Sequence, residues 1–135
     1  MRGIYLLVIL VEKQRSIRVG SLGTLVFESG LYAYVGSAQN SLEKRVTRHL
    51  TRNKKRFWHI DYLLEDKHVK IVNVFYKVAP KSEECHIAKK IGETNLPIKG
   101  FGSSDCNCKS HLFKLNSPES IEKIVKENML LKLFI

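Results

Sequence analysis

The stretch GLYAYVGSA, Gly30 to Ala38, has the two-residue period of a strand at its centre. Over Leu31 to Val35 that period sends Leu31, Ala33 and Val35 to one face of a sheet, while Tyr32 and Tyr34 take the other. Gly36 then stops the alternation, and Ser37 and Ala38 lead into a small-residue turn. Upstream, Ile4 to Val11 is an unbroken apolar run rich in β-branched residues, which suits a central strand buried on both faces. The polar turn Glu12 to Arg15 separates this run from Ile17 to Val19, a candidate antiparallel return strand. After turn signals at Gly20 and Gly23, Thr24 to Phe27 reads as another short strand.

Downstream of Ala38 the period changes to that of a helix. Leu42, Val46 and Leu50 form an apolar stripe within Ser41 to Arg52. Trp58 to Leu64 (WHIDYLL) reads as a second short helix, and Val69 to Val78 as a strand closed by Pro80. Ser82 is placed to cap a helix running to about Ile91. Ile98 to Ser110 is a loop, Leu112 to Leu115 a candidate strand, and Ser117-Pro118 opens a helix to about Asn128. The apolar tail from Met129 is expected to pack on the sheet or on a second subunit, which leaves the oligomeric state open. Strands come first and then mix with helices, so the expected class is α+β in one domain covering residues 1–135.

The longest apolar run has eight residues, well short of the roughly 20 a membrane span needs, so no membrane partner is expected. The N-terminus lacks a small-residue cleavage site and is not read as a secretory signal. Three cysteines, an odd number, argue against a disulfide framework and for a reducing, cytoplasmic setting. The net charge of +10 favours a polyanionic partner such as nucleic acid.

That charge is concentrated. From Lys44 to Arg56 seven of thirteen residues are Lys or Arg (Lys44, Arg45, Arg48, Arg52, Lys54, Lys55 and Arg56), followed at once by Phe57 and Trp58. Cations interleaved with aromatics suit a phosphate backbone. On the helix, Arg45 and His49 sit one turn apart on the same flank, and Arg48 and Arg52 continue it. Glu84 stands at the end of the stripe Ile87, Ala88 and Ile91, where a carboxylate is costly unless it favours the helix dipole or meets a metal or an arginine. His59 and Asp61, two apart on a helix, do not face each other as an acid–base pair. Asp105, Cys106, Cys108 and His111 fall within one loop, with Cys85 and His86 able to approach. Their spacing is not one of the usual zinc-finger spacings, so reduced core cysteines, with the polar groups lining a cleft, are preferred over tetrahedral Zn2+.

Gly3-Ile4-Tyr5, then Tyr34-Val35-Gly36, Arg45 nine residues later with His49 one turn on, and Glu84 on a later helix together resemble the GIY-YIG nuclease superfamily. Within it, YVGSA, WHIDYLL, the Glu84-Cys85 pair and the run Gly100 to Phe113 look like the group called Uri-superfamily endonucleases. The resemblance implies a three-stranded antiparallel core sheet flanked by helices, and hydrolysis of a nucleic-acid phosphodiester, DNA favoured over RNA, with Mg2+ or Mn2+. It implies that Tyr5 positions or deprotonates water, that Tyr34 supports it, that Arg45 meets the phosphate charge and that Glu84 holds the ion. His49 is an alternative proton acceptor. Gly36 and Ser37 would let the backbone approach a phosphate, and Lys44, Arg48, Arg52, Lys54, Lys55 and Arg56 would track it. The interval from Tyr5 to Tyr34 is longer than in the compact motif, as though a hairpin from Arg15 to Phe27 were inserted; strand register then decides whether the tyrosines meet. Asp105, Cys106, Cys108 and His111 inherit no role from the wider superfamily; with His59 and Cys85 they form a candidate second or zinc site. The competing expectation is a nucleic-acid-binding module that does not cut and that partners a repair enzyme. A zinc-stabilised structural protein comes third.

Overall fold

The computed structural model describes residues 1–52, 54–104 and 106–134; Asn53, Asp105 and Ile135 lie outside the described residues. Three nine-residue strands form the centre: β1 (Gly3–Val11), β4 (Gly30–Ala38) and β5 (Val69–Lys77). Between the first two, β2 (Arg15–Arg18) and β3 (Thr24–Phe27) form a separate two-stranded hairpin. The expected hairpin insertion is therefore present, but β2 pairs with β3 and not with β1. Helices α1 (Leu42–Leu50) and α2 (His59–Leu64) precede β5, and α3 (Ser82–Gly92) follows it. Short strands β6 (Leu96–Pro97) and β7 (Leu112–Lys114), helix α4 (Ser120–Glu127) and strand β8 (Leu131–Lys132) complete the chain.

The sheet is antiparallel and has six strands in the order β6-β7-β4-β1-β5-β8, where a three-stranded core was expected. The central three match that expectation. The additions flank that core: β7, expected from Leu112 to Leu115, pairs with β4 and ends at Lys114, while β6 and β8 have two residues each, too short to show a period of their own. Strand β8 settles the tail: Leu131 and Lys132 pair with Tyr76 and Phe75, and the Leu133 N–H donates to the Val74 carbonyl at 2.9 Å.

Each face of the sheet has its own core. On one, Tyr5, Leu7 and Ile9 of β1 and Tyr32 and Tyr34 of β4 pack with Leu42 and Val46 of α1, Ile60 and Leu63 of α2, Phe27 and Phe101. On the other, Ile4, Leu6, Ala33 and Val35 pack with Ile87, Ala88 and Ile91 of α3 and with Ile124 of α4. The two-faced burial expected of Ile4 to Val11 and the alternation of β4 follow directly. Among the described residues no helix is long and apolar enough to cross a membrane.

Several boundaries differ from the sequence reading. Strand β4 runs through Gly36 to Ala38, because Gly36 pairs with Tyr5 in the ladder. Ser41 caps α1 by accepting from the Lys44 N–H at 3.2 Å, and the helix ends at Leu50, before Arg52. Trp58 is the extended residue before α2 and lies outside the helix. Lys81 occupies the cap position of α3 expected for Ser82, and α4 starts at Ser120, after a turn through Ser117.

Candidate active site

Register answers the question about the tyrosines. Tyr5 stands opposite Gly36 and Leu7 opposite Tyr34, so the two phenols are diagonal neighbours on one face of the β1–β4 pair. Their ring centroids are 6.5 Å apart. The hairpin leaves the sheet beyond Val11 and returns at Gly30, at the far end of both strands, so its insertion leaves this geometry unchanged. Gly36 makes room for the first of them, since a Cβ there would overlap the Cζ and hydroxyl of Tyr5, whose ring lies across the glycine.

Above the tyrosines, α1 presents His49. Its Nε2 is 2.7 Å from the Tyr5 hydroxyl, its ring centroid is 5.3 Å from that of Tyr5, and its buried Nδ1 has no hydrogen-bond partner among the described residues. Burial pushes His49 down to about 3, so the ring is neutral. Burial also raises the Tyr5 phenol well above its ordinary value, and the Arg45 guanidinium offsets this in part. Tyr34 is raised for the same reason. Both phenols therefore keep their protons at neutral pH.

Arg45, half-buried, donates to the Ser37 carbonyl at 3.0 Å and lies 4.5 Å from the Trp58 ring centroid. Glu84 comes from the first turn of α3, with its side chain 16% exposed and Oε2 3.8 Å from His111 Nδ1. Tyr5, Tyr34, Gly36, Ser37, Arg45 and Glu84 line one open polar cleft of about 530 Å³. Trp58, His59, Gly102 and Ser104 also contribute to its walls.

The remaining cations divide by what holds them. Arg48 makes two bonds to Asp61, at 2.9 and 3.1 Å, and one to the Lys55 carbonyl at 2.8 Å. Asp61, fully buried, also accepts from the Phe57 and Trp58 N–H groups at 2.8 and 2.9 Å. Burial alone would raise this carboxyl, but the Arg48 and backbone hydrogen bonds outweigh it and hold Asp61 below its ordinary range. Arg52 donates to the carbonyls of Leu64, Asp66 and Val69, and Lys54 to those of His49 and Thr51. Arg56 pairs with Glu65. Lys44 and Lys55 are exposed, as is Phe57. Much of the basic run thus staples α1 to the segment around α2, a use that a charge count does not reveal. Asp61 and Trp58 are the residues that sequence reasoning undervalued; the signal was the acid placed three residues after Trp58, where it bonds back to the helix start.

A second cluster adjoins the cleft. Cys85 of α3 meets Cys106, Cys108 and His111, and their ligand atoms all lie within 4.8 Å of one another. This Cys/His group could bind a metal ion, with Cys85 reaching the loop residues from α3. His59, grouped with these residues on the sequence, stands apart: its Nδ1 accepts from the Gly102 N–H at 2.9 Å and its ring meets Phe101. Asp105, also grouped with them, lies outside the described residues. The three cysteines are unpaired, and burial raises the thiols of Cys85 and Cys108.

Searches of curated proteins and of solved structures find no match. A family model does match, over residues 4–132, which takes in the central strands, the cleft and the cysteine cluster alike. The chain therefore belongs to the family described as Domain of unknown function DUF123.

Proposed function

We propose that this domain is a metal-dependent endonuclease of the GIY-YIG type, acting on DNA in preference to RNA. One observation carries the reading: Tyr5, Tyr34, Arg45 and Glu84, from four different elements, line one cleft. The donor set fits a hard divalent ion. Glu84 offers one carboxylate in an open polar cleft, and Mg2+ accepts such a site because it keeps several waters and takes phosphate oxygens as further ligands. Mn2+ shares that preference for oxygen donors. Bound there, the ion would supply Lewis-acid stabilisation of the charge on the phosphate and on the leaving oxygen.

The chain's own groups perform the rest. The Arg45 guanidinium, oriented by the Ser37 carbonyl and the Trp58 face, meets the non-bridging oxygens, where charge grows in the transition state. Tyr5 is too deeply buried to act as a free phenolate. In the tautomer that leaves Nε2 bare, the Tyr5 O–H donates to His49, and a lone pair on the phenol oxygen accepts from the attacking water. As the water attacks phosphorus, its proton passes to Tyr5 while the Tyr5 proton passes to His49 Nε2. Tyr5 therefore never carries a net charge. The P–O bond to the leaving sugar breaks, and that oxygen takes a proton from solvent. Burial and the cations Lys54, Arg45 and Arg48 oppose the imidazolium that results more strongly than Asp61 favours it, so His49 holds the proton only in passing and returns it through Tyr5 to solvent.

A second reading, a module that binds nucleic acid without cutting it, gains support from Phe57, which is 72% exposed beside Arg56, with the Arg48 guanidinium 5.5 Å from its ring centroid, and offers a stacking platform. One experiment separates the two: labelled single-stranded, duplex, flapped, branched and abasic DNA, with RNA counterparts, is incubated with Mg2+ or Mn2+. Cutting that Glu84→Ala abolishes and Arg45→Ala lowers by about 10²- to 10³-fold supports the nuclease. Tight, salt-sensitive binding without cutting in either metal overturns it and leaves the binding module.

A further inference from the structure

We propose that Cys85, Cys106, Cys108 and His111 hold one zinc ion, which fastens the loop wall of the cleft to α3. Three thiols and an imidazole form a borderline-soft donor set that suits Zn2+ and does not suit the oxygen-seeking ion proposed for Glu84. The geometry is close to that of a filled site. With Zn–S near 2.3 Å and Zn–N near 2.0 Å, a tetrahedron separates sulfur from nitrogen by about 3.5 Å and sulfur from sulfur by about 3.8 Å. His111 Nε2 stands 3.3 Å from Cys106 Sγ and 3.9 Å from Cys85 Sγ. Every other pair lies within 4.8 Å, so a contraction of about 1 Å or less completes the shell around a single centre.

The scaffold explains why these four meet. The His111 N–H donates to the Phe101 carbonyl, and its own carbonyl accepts from the Val35 N–H at 2.9 Å, so this buried histidine is fixed to the edge of β4. Cys106 N–H donates to the Ser103 carbonyl, which turns the loop back toward α3. With Nε2 turned to the thiols, His111 directs Nδ1 at Glu84, 3.8 Å away, the outer-shell carboxylate arrangement that metal-bound histidines favour. Between Phe101 and His111, the loop lends Gly102 and Ser104 to the cleft. Zinc would therefore hold one wall of the cleft in place while taking no part in the chemistry there.

The test is made on the full chain, purified under reducing conditions without chelator. Elemental analysis is expected to find about one zinc per chain. Stripped of metal and titrated with Co2+, the wild type should develop thiolate-to-cobalt charge-transfer absorption and intense tetrahedral ligand-field bands, and Zn2+ should abolish both. The Cys106→Ser/Cys108→Ser double variant should lose the charge-transfer band. If the reduced wild type shows no such band, or if a Cys106–Cys108 disulfide forms in reducing buffer in place of metal uptake, the proposal falls. It falls equally if the double variant retains stoichiometric zinc. The wild-type titration decides the matter even where the variant does not fold. Occupancy is read without nucleic acid, so a zinc-loaded chain that never cuts would sink the nuclease reading alone, and an active chain without zinc would sink this one alone.

Discussion

Gly36→Ala is a one-methyl change on which the geometry of the cleft depends. The Tyr5 ring lies across Gly36, and an added Cβ would stand 2.6 Å from Tyr5 Cε2 and nearer still to Cζ and the hydroxyl. Carbon atoms at rest sit about 3.5–4.0 Å apart, so the ring must move by about 1 Å or more. It has little room, being 2% exposed and packed against Tyr34 and His49. Overpacking of this kind costs about 1–3 kcal/mol. Displacing the ring also breaks the 2.7 Å bond to His49, and a buried polar group left without its partner costs about 1–3 kcal/mol more. Better strand propensity returns about 0.5–1 kcal/mol. The expected net loss is about 2–5 kcal/mol, a large share of the roughly 5–15 kcal/mol that holds a domain together. Urea denaturation in a double-mutant cycle with Tyr5→Val isolates the cause, because valine removes every ring atom that the new Cβ would meet. In that background Gly36→Ala should cost close to nothing. An equal cost in both backgrounds would refute the claim that the glycine exists to admit the ring, and so would a cost below about 1 kcal/mol in the wild type.

Two further expectations concern buried charge. His49 has a folded value of about 3 against 6.5, so between those limits the unfolded chain binds the proton more readily. Stability is then fully present above pH 6.5 and declines as pH falls toward 3, by about 3 kcal/mol at pH 4.5 relative to pH 7. Urea midpoints at the two pH values should show His49→Gln losing less than wild type, and an unchanged difference would mean that the ring is not held neutral. Asp61→Ala should cost about 3–5 kcal/mol, because it strands Arg48 and two backbone N–H groups, and Arg48→Met should recover part of that. The depressed Asp61 carboxyl gives stability that is present above its ordinary 3.8 and lost as pH falls through its lower folded value. Fluorescence of Trp58, the single tryptophan, follows the unfolding, and a loss under 1 kcal/mol would contradict the ion-pair argument.

What could be read from the sequence was what periodicity and order express. Ile4 to Val11 has apolar residues at both parities, and both of its faces are buried; Leu31 to Val35 alternates, and its two residue sets fall into the two cores. Tyr5, Tyr34, Arg45 and Glu84 follow from motif order and come to one cleft. What was not legible depends on contacts between distant segments. Glycine reads locally as a strand breaker, yet Gly36 continues β4 because its missing side chain accommodates a ring 31 positions upstream. A run of cations reads as a binding face, yet Arg48 and Arg52 are consumed by Asp61 and by carbonyls that only the packing of α1 on α2 brings within reach. Cys85 lies 21 residues before Cys106, and no spacing rule joins them until the fold brings the start of α3 against the loop.

Glu84 and Cys85 are adjacent, and a helix turns each residue about 100° from the last. On the first turn of α3 this separates a hard donor from a soft one: the carboxylate faces the polar cleft, while the thiol faces the sulfur cluster. Because carboxylate and thiolate sort cations by hardness, on the proposed assignments the same helical turn would serve a hard ion in the cleft and a softer one in the cysteine cluster. His111 is the bridge between them, with one ring nitrogen toward each site, 3.3 Å from Cys106 Sγ and 3.8 Å from Glu84 Oε2. On the proposed assignments, the position of the carboxylate that grips the cleft ion is referred to a rigid sulfur-bound centre. That is a reason for the cleft, if it works as proposed, to keep a cysteine cluster at its wall and not elsewhere on the surface.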